Sequence, residues 1–194
     1  DLRRLFSELL IPVGAPELLK EGLWDDRVKL TFGFDAMRDD TEQYLWGTDR
    51  TYVPKVKYTD LSPFAQIDFS PIESLTFSAG ARYEYAKLDI DSYRTVAANN
   101  GVRVDGGSPD FDETLYNAGV VWRPVKHWSL FTSYSEGFAI PDVGRVLRGI
   151  DTPGQSVDSF ENLRPIVTDN IETGVRYDDG RLNAELSYYV SSSD

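Results

Sequence analysis

The sequence predicts an all-β fold, an antiparallel up-and-down meander of about seven strands that is part of a transmembrane β-barrel. Three observations support this: alternating apolar and polar residues, hairpins whose apolar faces meet, and short and long connections that alternate. The segment Leu75 to Tyr85 shows the alternation most clearly, because every odd residue is apolar or aromatic and no even residue is. A helix would spread these residues around its circumference, so a strand with one apolar face is predicted.

The same alternation recurs in six further segments, several of which approach the roughly ten residues of a membrane strand. Their apolar faces run, in chain order, over Val28 to Ala36, Leu61 to Phe69, Tyr116 to Trp122, Trp128 to Tyr134, Ile171 to Tyr177 and Leu182 to Tyr188. The residues before this region, 1–27, do not share the pattern: Leu2, Leu5 and Leu9 have helical spacing, but Pro12 and Pro16 stop any long helix. They are predicted to be a loop segment.

Three tight turns are predicted between neighbouring strands, at 70–74, at 124–126 and at Asp179-Gly180, where glycine suits a hairpin. In each hairpin apolar residues then face apolar residues, which chance alternation would not give. The predicted facing pairs nearest to the turns are Phe69 with Leu75, Trp122 with Trp128, and Tyr177 with Leu182.

The other connections, 39–58, 88–112 and 138–169, are long and rich in Asp, Asn, Gly and Pro. Because short and long connections alternate, the short turns lie at one rim and the long loops at the other, as in outer-membrane barrels. Trp122 and Trp128 beside a short turn fit an interfacial aromatic girdle. A soluble antiparallel sandwich also alternates and stays open as an alternative, although sandwiches seldom sort their loop lengths by end.

Composition excludes several classes of function. The chain of 194 residues has 20 Lys and Arg against 32 Asp and Glu, and this net charge of -12 argues against nucleic acid as a partner. It has no Cys and one His, His127, which excludes Cys-ligated zinc, thiol nucleophiles and multi-histidine metal sites. No serine has a neighbouring base, so we do not expect an enzyme.

Three stretches then carry a resemblance to a known family. Ser133-Tyr-Ser-Glu-Gly-Phe-Ala-Ile-Pro-Asp-Val-Gly144 resembles the strand-to-loop signature of TonB-dependent siderophore receptors. Asn162-Leu-Arg-Pro165 and Glu172-Thr-Gly-Val-Arg-Tyr177 resemble the next stretch of that family. The likeness covers about residues 28–194. Within the family, Gly137 to Gly149 together with Tyr188 to Asp194 looks most like receptors of the aerobactin type, which carry ferric citrate-hydroxamate siderophores.

The resemblance implies an excerpt of a larger molecule, because such receptors have a barrel of about 22 strands with a plugged lumen. We therefore expect residues 1–194 to be one partial barrel domain, without plug domain or C-terminal strands, in the outer membrane of a Gram-negative bacterium. The implied function is capture of a ferric siderophore and TonB-energised import. The implied partners are the siderophore, outer-membrane lipid and, through the absent plug, the TonB complex.

A ferric siderophore brings its own metal ligands, so no cofactor and no protein metal site is expected. The protein needs a shaped pocket, aromatic rings and opposite charge. The long loops offer arginines beside aromatics, although each arginine could equally be paired with a neighbouring carboxylate. The ligand-binding candidates are Tyr44, Trp46, Arg50, Tyr52, Tyr93, Arg94, Arg103, Arg145, Arg148 and Phe160. A small complete outer-membrane barrel with a structural or adhesion role is the other alternative.

Overall fold

The computed structural model describes residues 20–23, 27–47, 50–160 and 163–193, which form one open antiparallel sheet with folded loops at one end. The strands are β1 (Lys20–Leu23), β2 (Val28–Leu45), β3 (Arg50–Ile72), β4 (Leu75–Ile90), β5 (Tyr93–Arg94), β6 (Arg103–Val104), β7 (Asp110–Val125), β8 (Trp128–Ala139), β9 (Ile166–Asp178) and β10 (Asn183–Ser193). One α-helix, α1 (Val143–Arg148), and 3-10 turns at Ala97–Asn99 and Val157–Ser159 lie in the loops.

The predicted fold class is confirmed. The main sheet has the order β1-β2-β3-β4-β7-β8-β9-β10, in which neighbours along the chain are neighbours in space, while β5 and β6 form a separate hairpin. Within the described residues, no helix is long and apolar enough to span a bilayer.

The apolar faces predicted from alternation align across the sheet. One row perpendicular to the strands consists of apolar and aromatic residues only: Leu30, Ile67, Ala79, Ala118, Tyr134, Ile171 and Val190. The row one residue further along consists of polar residues and a glycine: Thr31, Gln66, Gly80, Asn117, Ser135, Asn170 and Ser191. The sheet therefore has one continuous apolar face and one continuous polar face.

The three predicted hairpin registers are each wrong by two residues. Phe69 pairs with Phe77, Trp122 with Leu130, and Tyr177 with Ala184. A strand has a period of two, so a shift of two residues leaves every side chain on its predicted face and is invisible to an argument from alternation.

The turns explain the shifts. The β3–β4 and β7–β8 hairpins turn over two residues each, 73–74 and 126–127. In both hairpins the register also shifts between the turn and the regular part of the ladder. His127 adopts a positive φ of 70° in the second of these turns. The β9–β10 turn is four residues long, because Asp179 Oδ1 accepts the backbone N–H groups of Arg181 (2.9 Å) and Leu182 (2.8 Å).

Two further predictions about connections need correction. The first long connection, 39–58, is mostly strand: β2 and β3 stay paired as far as Leu45 and Arg50, because ladder hydrogen bonds do not require the apolar alternation that ends there. Of the predicted loop 1–27, residues 1–19 and 24–26 lie outside the described residues. Lys20–Leu23 is a strand paired with β2, and a run of four residues is too short to show a period of two.

The buried core lies at the long-loop end of the sheet. We call the second loop residues 91–109 and the third loop residues 140–165. Eight buried residues from β3, β4 and these two loops form the loop core: Val56, Leu88, Ile90, Val102, Val104, Leu147, Val157 and Leu163. The two predicted long loops are therefore one folded unit.

Candidate functional site

The loop core stands on the polar face, beyond the point where the apolar side of the strands reverses. On β4 the apolar residues are odd-numbered as far as Tyr85, whereas Ala86, Leu88 and Ile90 are buried on the opposite side. Lys87 and Asp89 take over the formerly apolar side and form an ion pair at 3.1 Å. From Leu75 to Tyr85 the chain rises roughly 33 Å, or about 25 Å along the axis of a barrel with strands tilted near 40°, the height of an outer-membrane apolar band. The loops above this level form the predicted extracellular mouth.

The main sheet opens between β7 and β8 about halfway along the apolar band, in the row of Gly80 of β4. The two strands are paired only as far as Asn117 and Ser135, beyond which β7 follows β4 and β8 follows β9. A carboxylate replaces the missing strand partner, because Glu136 Oε2 accepts the backbone N–H of Tyr116 at 2.8 Å. The third loop leaves β8, packs α1 against β3 and returns to β9.

Two predicted arginines lie on α1, three residues apart. Asp142 begins the helix, its Oδ1 accepting the backbone N–H of Arg145 at 2.9 Å, as a short acidic side chain at this position commonly does. The Arg145 side chain is exposed, and the guanidinium of Arg148 lies over the ring of Tyr52, 5.5 Å from its centroid. Neither arginine forms an ion pair with any carboxylate that the structure describes. One helical turn thus presents two cations, one of them braced by an aromatic ring of the β2–β3 hairpin.

Tyr93 lies beside this helix and is half-buried against the loop core. Its hydroxyl donates a hydrogen bond of 2.6 Å to the backbone carbonyl of Leu147. Burial raises the pKa of Tyr93, so the hydroxyl stays protonated and remains a donor. Sequence reasoning proposed Tyr93 as a ligand contact, whereas its polar atom is already used inside the protein.

An open cleft of about 610 Å³ lies between the base of the second loop and the third loop, beside the start of β7. Phe160, a predicted ligand residue, lines it together with Phe111 and Arg164. Asp158, also in the lining, is partly engaged because its Oδ1 accepts the Ser108 backbone N–H at 2.8 Å. Arg164 is exposed and has no ion-pair partner among the described residues; its place in Asn162-Leu-Arg-Pro165 was the signal that could have added it to the candidates.

The remaining candidates are spread around the mouth. Trp46 is 95% exposed at the tip of the β2–β3 hairpin, and Tyr44 is half-exposed beside it. Arg50 begins β3, but its side chain lies outside the described set. Arg94 donates to the Gly101 carbonyl at 3.3 Å, and Arg103 pairs with Asp105 at 3.3 Å with both side chains well exposed.

Below the loop core, the polar face carries a buried cluster of charged and hydroxyl groups. Ser62, fully buried, donates to Asp60 Oδ1 (2.7 Å) or to Glu84, which has a second contact with Arg82. Arg82 also reaches Asp35 Oδ2 at 2.6 Å. These groups are hydrogen-bond and ion-pair partners of one another within the sheet. The described residues contain no group of three or more His, Asp or Glu side chains arranged to hold a metal ion.

Comparison with known proteins agrees with this architecture. A family profile described as "TonB dependent receptor-like, beta-barrel" matches residues 16–194, nearly the whole chain. The chain belongs to this family. The resemblance found in the sequence is thereby confirmed, as are the outer-membrane location in a Gram-negative bacterium and the expectation that the chain is not an enzyme. Family membership also excludes the soluble sandwich.

Two curated relatives of this TonB-dependent receptor chain are receptors named for one siderophore. The ferric aerobactin receptor of Klebsiella pneumoniae is 29% identical over 160 residues, and that of Escherichia coli is 25% identical over 159 residues. Each alignment covers 73% of this chain and 22% of the relative. The chain thus spans about a fifth of the length of these relatives.

Solved structures share the fold at lower identity. The copper transporter OprC has a TM-score of 0.64 at 20% identity, and the match covers 87% of this chain and 28% of the OprC chain. The ferric yersiniabactin uptake receptor FyuA from Yersinia pestis has a TM-score of 0.65 at 15% identity, and the match covers 90% of this chain and 27% of the FyuA chain. At such identity the likeness concerns the fold alone.

Proposed function

We propose that the receptor containing this chain captures a ferric siderophore of the citrate-hydroxamate class at its extracellular mouth and imports it with energy from TonB. The observation that carries this proposal is the contact between Arg148 and Tyr52, beside the exposed Arg145. Arg145 and Arg148 place two guanidinium groups on one helical turn at the mouth, in a chain whose net charge is -12. Two curated relatives named as ferric aerobactin receptors support the same class of ligand.

The chemistry of the site suits a chelate that is still anionic after binding iron. The iron would arrive already coordinated, and the protein would recognise the outer surface of the complex. Guanidinium groups bind carboxylates through paired, charge-assisted hydrogen bonds, and Tyr52 would hold the Arg148 guanidinium in place for such a contact. Phe160, Phe111 and Arg164 in the cleft between the second and third loops would add apolar surface and a third cation.

The test uses Arg145→Ala and Arg148→Ala in the full-length gene product, with affinity measured for ferric aerobactin and for a neutral ferric trihydroxamate. Charge-assisted hydrogen bonds contribute about 1.5–3 kcal/mol where water is excluded. Each substitution is therefore expected to weaken binding of the carboxylate-bearing chelate roughly tenfold or more. The affinity for the neutral chelate should change less than about twofold, because it offers no carboxylate to these arginines. Arg123→Ala, an exposed arginine at the short-turn rim, is the matched control. Equal losses for both chelates would show that these arginines only support the loop.

A further inference from the structure

The helix that carries both arginines is too short to be stable alone. Six residues are about one and a half turns, well under the length at which helices persist in water. Its last carbonyl groups have no partners within the helix and must be satisfied from outside. One such bond is local, from the Gly149 N–H to the Val146 carbonyl at 3.2 Å.

The second loop supplies the other partners. The Tyr93 hydroxyl donates to the Leu147 carbonyl at 2.6 Å, and the Asn99 side-chain amide donates to the Arg148 carbonyl. One residue further along that loop, Asn100 donates to the Asp151 carbonyl at 3.3 Å. Side chains from a loop some fifty positions away thus hold the carbonyl end of α1 and the chain just after it.

These donors are themselves rigidly held. The buried Thr95 hydroxyl donates to the Asn99 carbonyl at 2.8 Å and accepts the Val102 backbone N–H at 3.0 Å, which closes the tip of the second loop. On the helix side, Leu147 is fully buried in the loop core. Tyr93 lies on β5, which pairs with β6, so both partners of the Tyr93–Leu147 bond stand on paired or packed backbone.

From this geometry we infer that Tyr93 and Asn99 are positioning residues, which set the affinity for an anionic chelate by fixing α1 so that Arg148 lies over Tyr52. This inference rests on the proposed function, because the group that would touch the ligand is the Arg148 guanidinium. In this role Tyr93 would act through α1 and not through contact with the ligand. The second loop thus takes part in recognition through the backbone of the third.

A double-mutant cycle tests this with Tyr93→Phe, which removes the hydroxyl and leaves the ring in the loop core. In the full-length gene product, Tyr93→Phe is expected to weaken ferric aerobactin binding about three- to tenfold, the scale of one hydrogen bond, with less than about twofold change for the neutral ferric trihydroxamate. In an Arg145→Ala/Arg148→Ala background, which removes both cations of α1, the same substitution should have no further effect. Tyr58→Phe is the matched control, because Tyr58 also packs on the loop core but its hydroxyl donates to Asp60 instead.

The outcomes separate this inference from the proposed function. If Arg148→Ala does not weaken ferric aerobactin binding, both fail. If Arg148→Ala weakens it but Tyr93→Phe does not, or if Tyr93→Phe weakens both chelates equally or still has an effect in the Arg145→Ala/Arg148→Ala background, then only the positioning role is overturned. Amide exchange gives a readout that needs no ligand: Tyr93→Phe should speed exchange within 143–149 and Tyr58→Phe should not. Unchanged exchange in Tyr93→Phe would overturn the role as well.

Discussion

The ring of Phe64 on β3 covers Gly33 on β2, so a Cβ placed at Gly33 would stand 2.5 Å from Phe64 Cζ. The same arrangement occurs on the same face near the other end of the strand order, where Phe131 on β8 covers Gly174 on β9 at the same distance. Both rings lie on the polar face, and each is itself within 6.0 Å of an arginine, Arg82 or Arg176. An aromatic ring over a cross-strand glycine buries apolar surface where the face is otherwise polar.

Gly33→Ala is therefore expected to destabilise the folded protein by about 1–3 kcal/mol, because the ring must move from a packed position. Urea titrations of the full-length gene product in lipid vesicles would measure this. In a Phe64→Ala background the same substitution should cost much less, since the obstructing ring is gone. Gly137→Ala is the control, because the nearest atom to a Cβ there is 3.9 Å away and φ is not positive. An equal cost with and without the Phe64 ring would contradict the packing argument.

The apolar face is expected to meet lipid, and Ala79 stands in the middle of its longest apolar row. Ala79→Arg should cost about 2–4 kcal/mol in folding titrations into vesicles if that row is near the bilayer midplane. Ser78→Arg, one residue away on the polar face, is the matched control and should cost little. Similar costs at the two positions would be incompatible with a lipid-facing side.

The base of the second loop is expected to loosen only in acid. The Ser108 hydroxyl, which donates to Asp89 Oδ1 at 2.7 Å, and the Lys87 ammonium hold the pKa of Asp89 below its usual value. Because the folded pKa is the lower one, the stabilisation is complete above the unfolded pKa, near 4, and is lost as the pH falls through the folded value. Exchange of the Ile90 and Gly107 amides, which bond across this base, should therefore rise below about pH 4 after correction for intrinsic rates.

Asp89→Asn is the control for this pH dependence. It keeps an acceptor for the Ser108 hydroxyl but cannot titrate, so the acid-induced rise in exchange should disappear. If the unsubstituted protein and Asp89→Asn lose protection equally on acidification, other groups are responsible.

Alternation determined which side of each strand is apolar, and this can be read from the sequence alone because side chains alternate with a period of two. The row through Leu30, Ala79 and Val190 is the direct consequence. The same period explains why the registers were wrong by two: Phe69 faces the apolar side whether it pairs with Leu75 or Phe77. That choice depends on bulges and turn lengths, which arise from backbone hydrogen bonding and not from hydrophobic pattern.

The residue types of the candidate site were also readable, since loop arginines stand out in an acidic chain. Only the tertiary structure decided what their side chains contact. Arg148 lies on Tyr52, almost one hundred positions away, because α1 packs on β3, and Arg103 pairs with Asp105 instead. Tyr93 was predicted as a ligand contact from the sequence, and in the structure its hydroxyl donates to the carbonyl end of α1. Local pattern fixes faces, whereas contacts between distant loops depend on how both loops bury their apolar residues in one core.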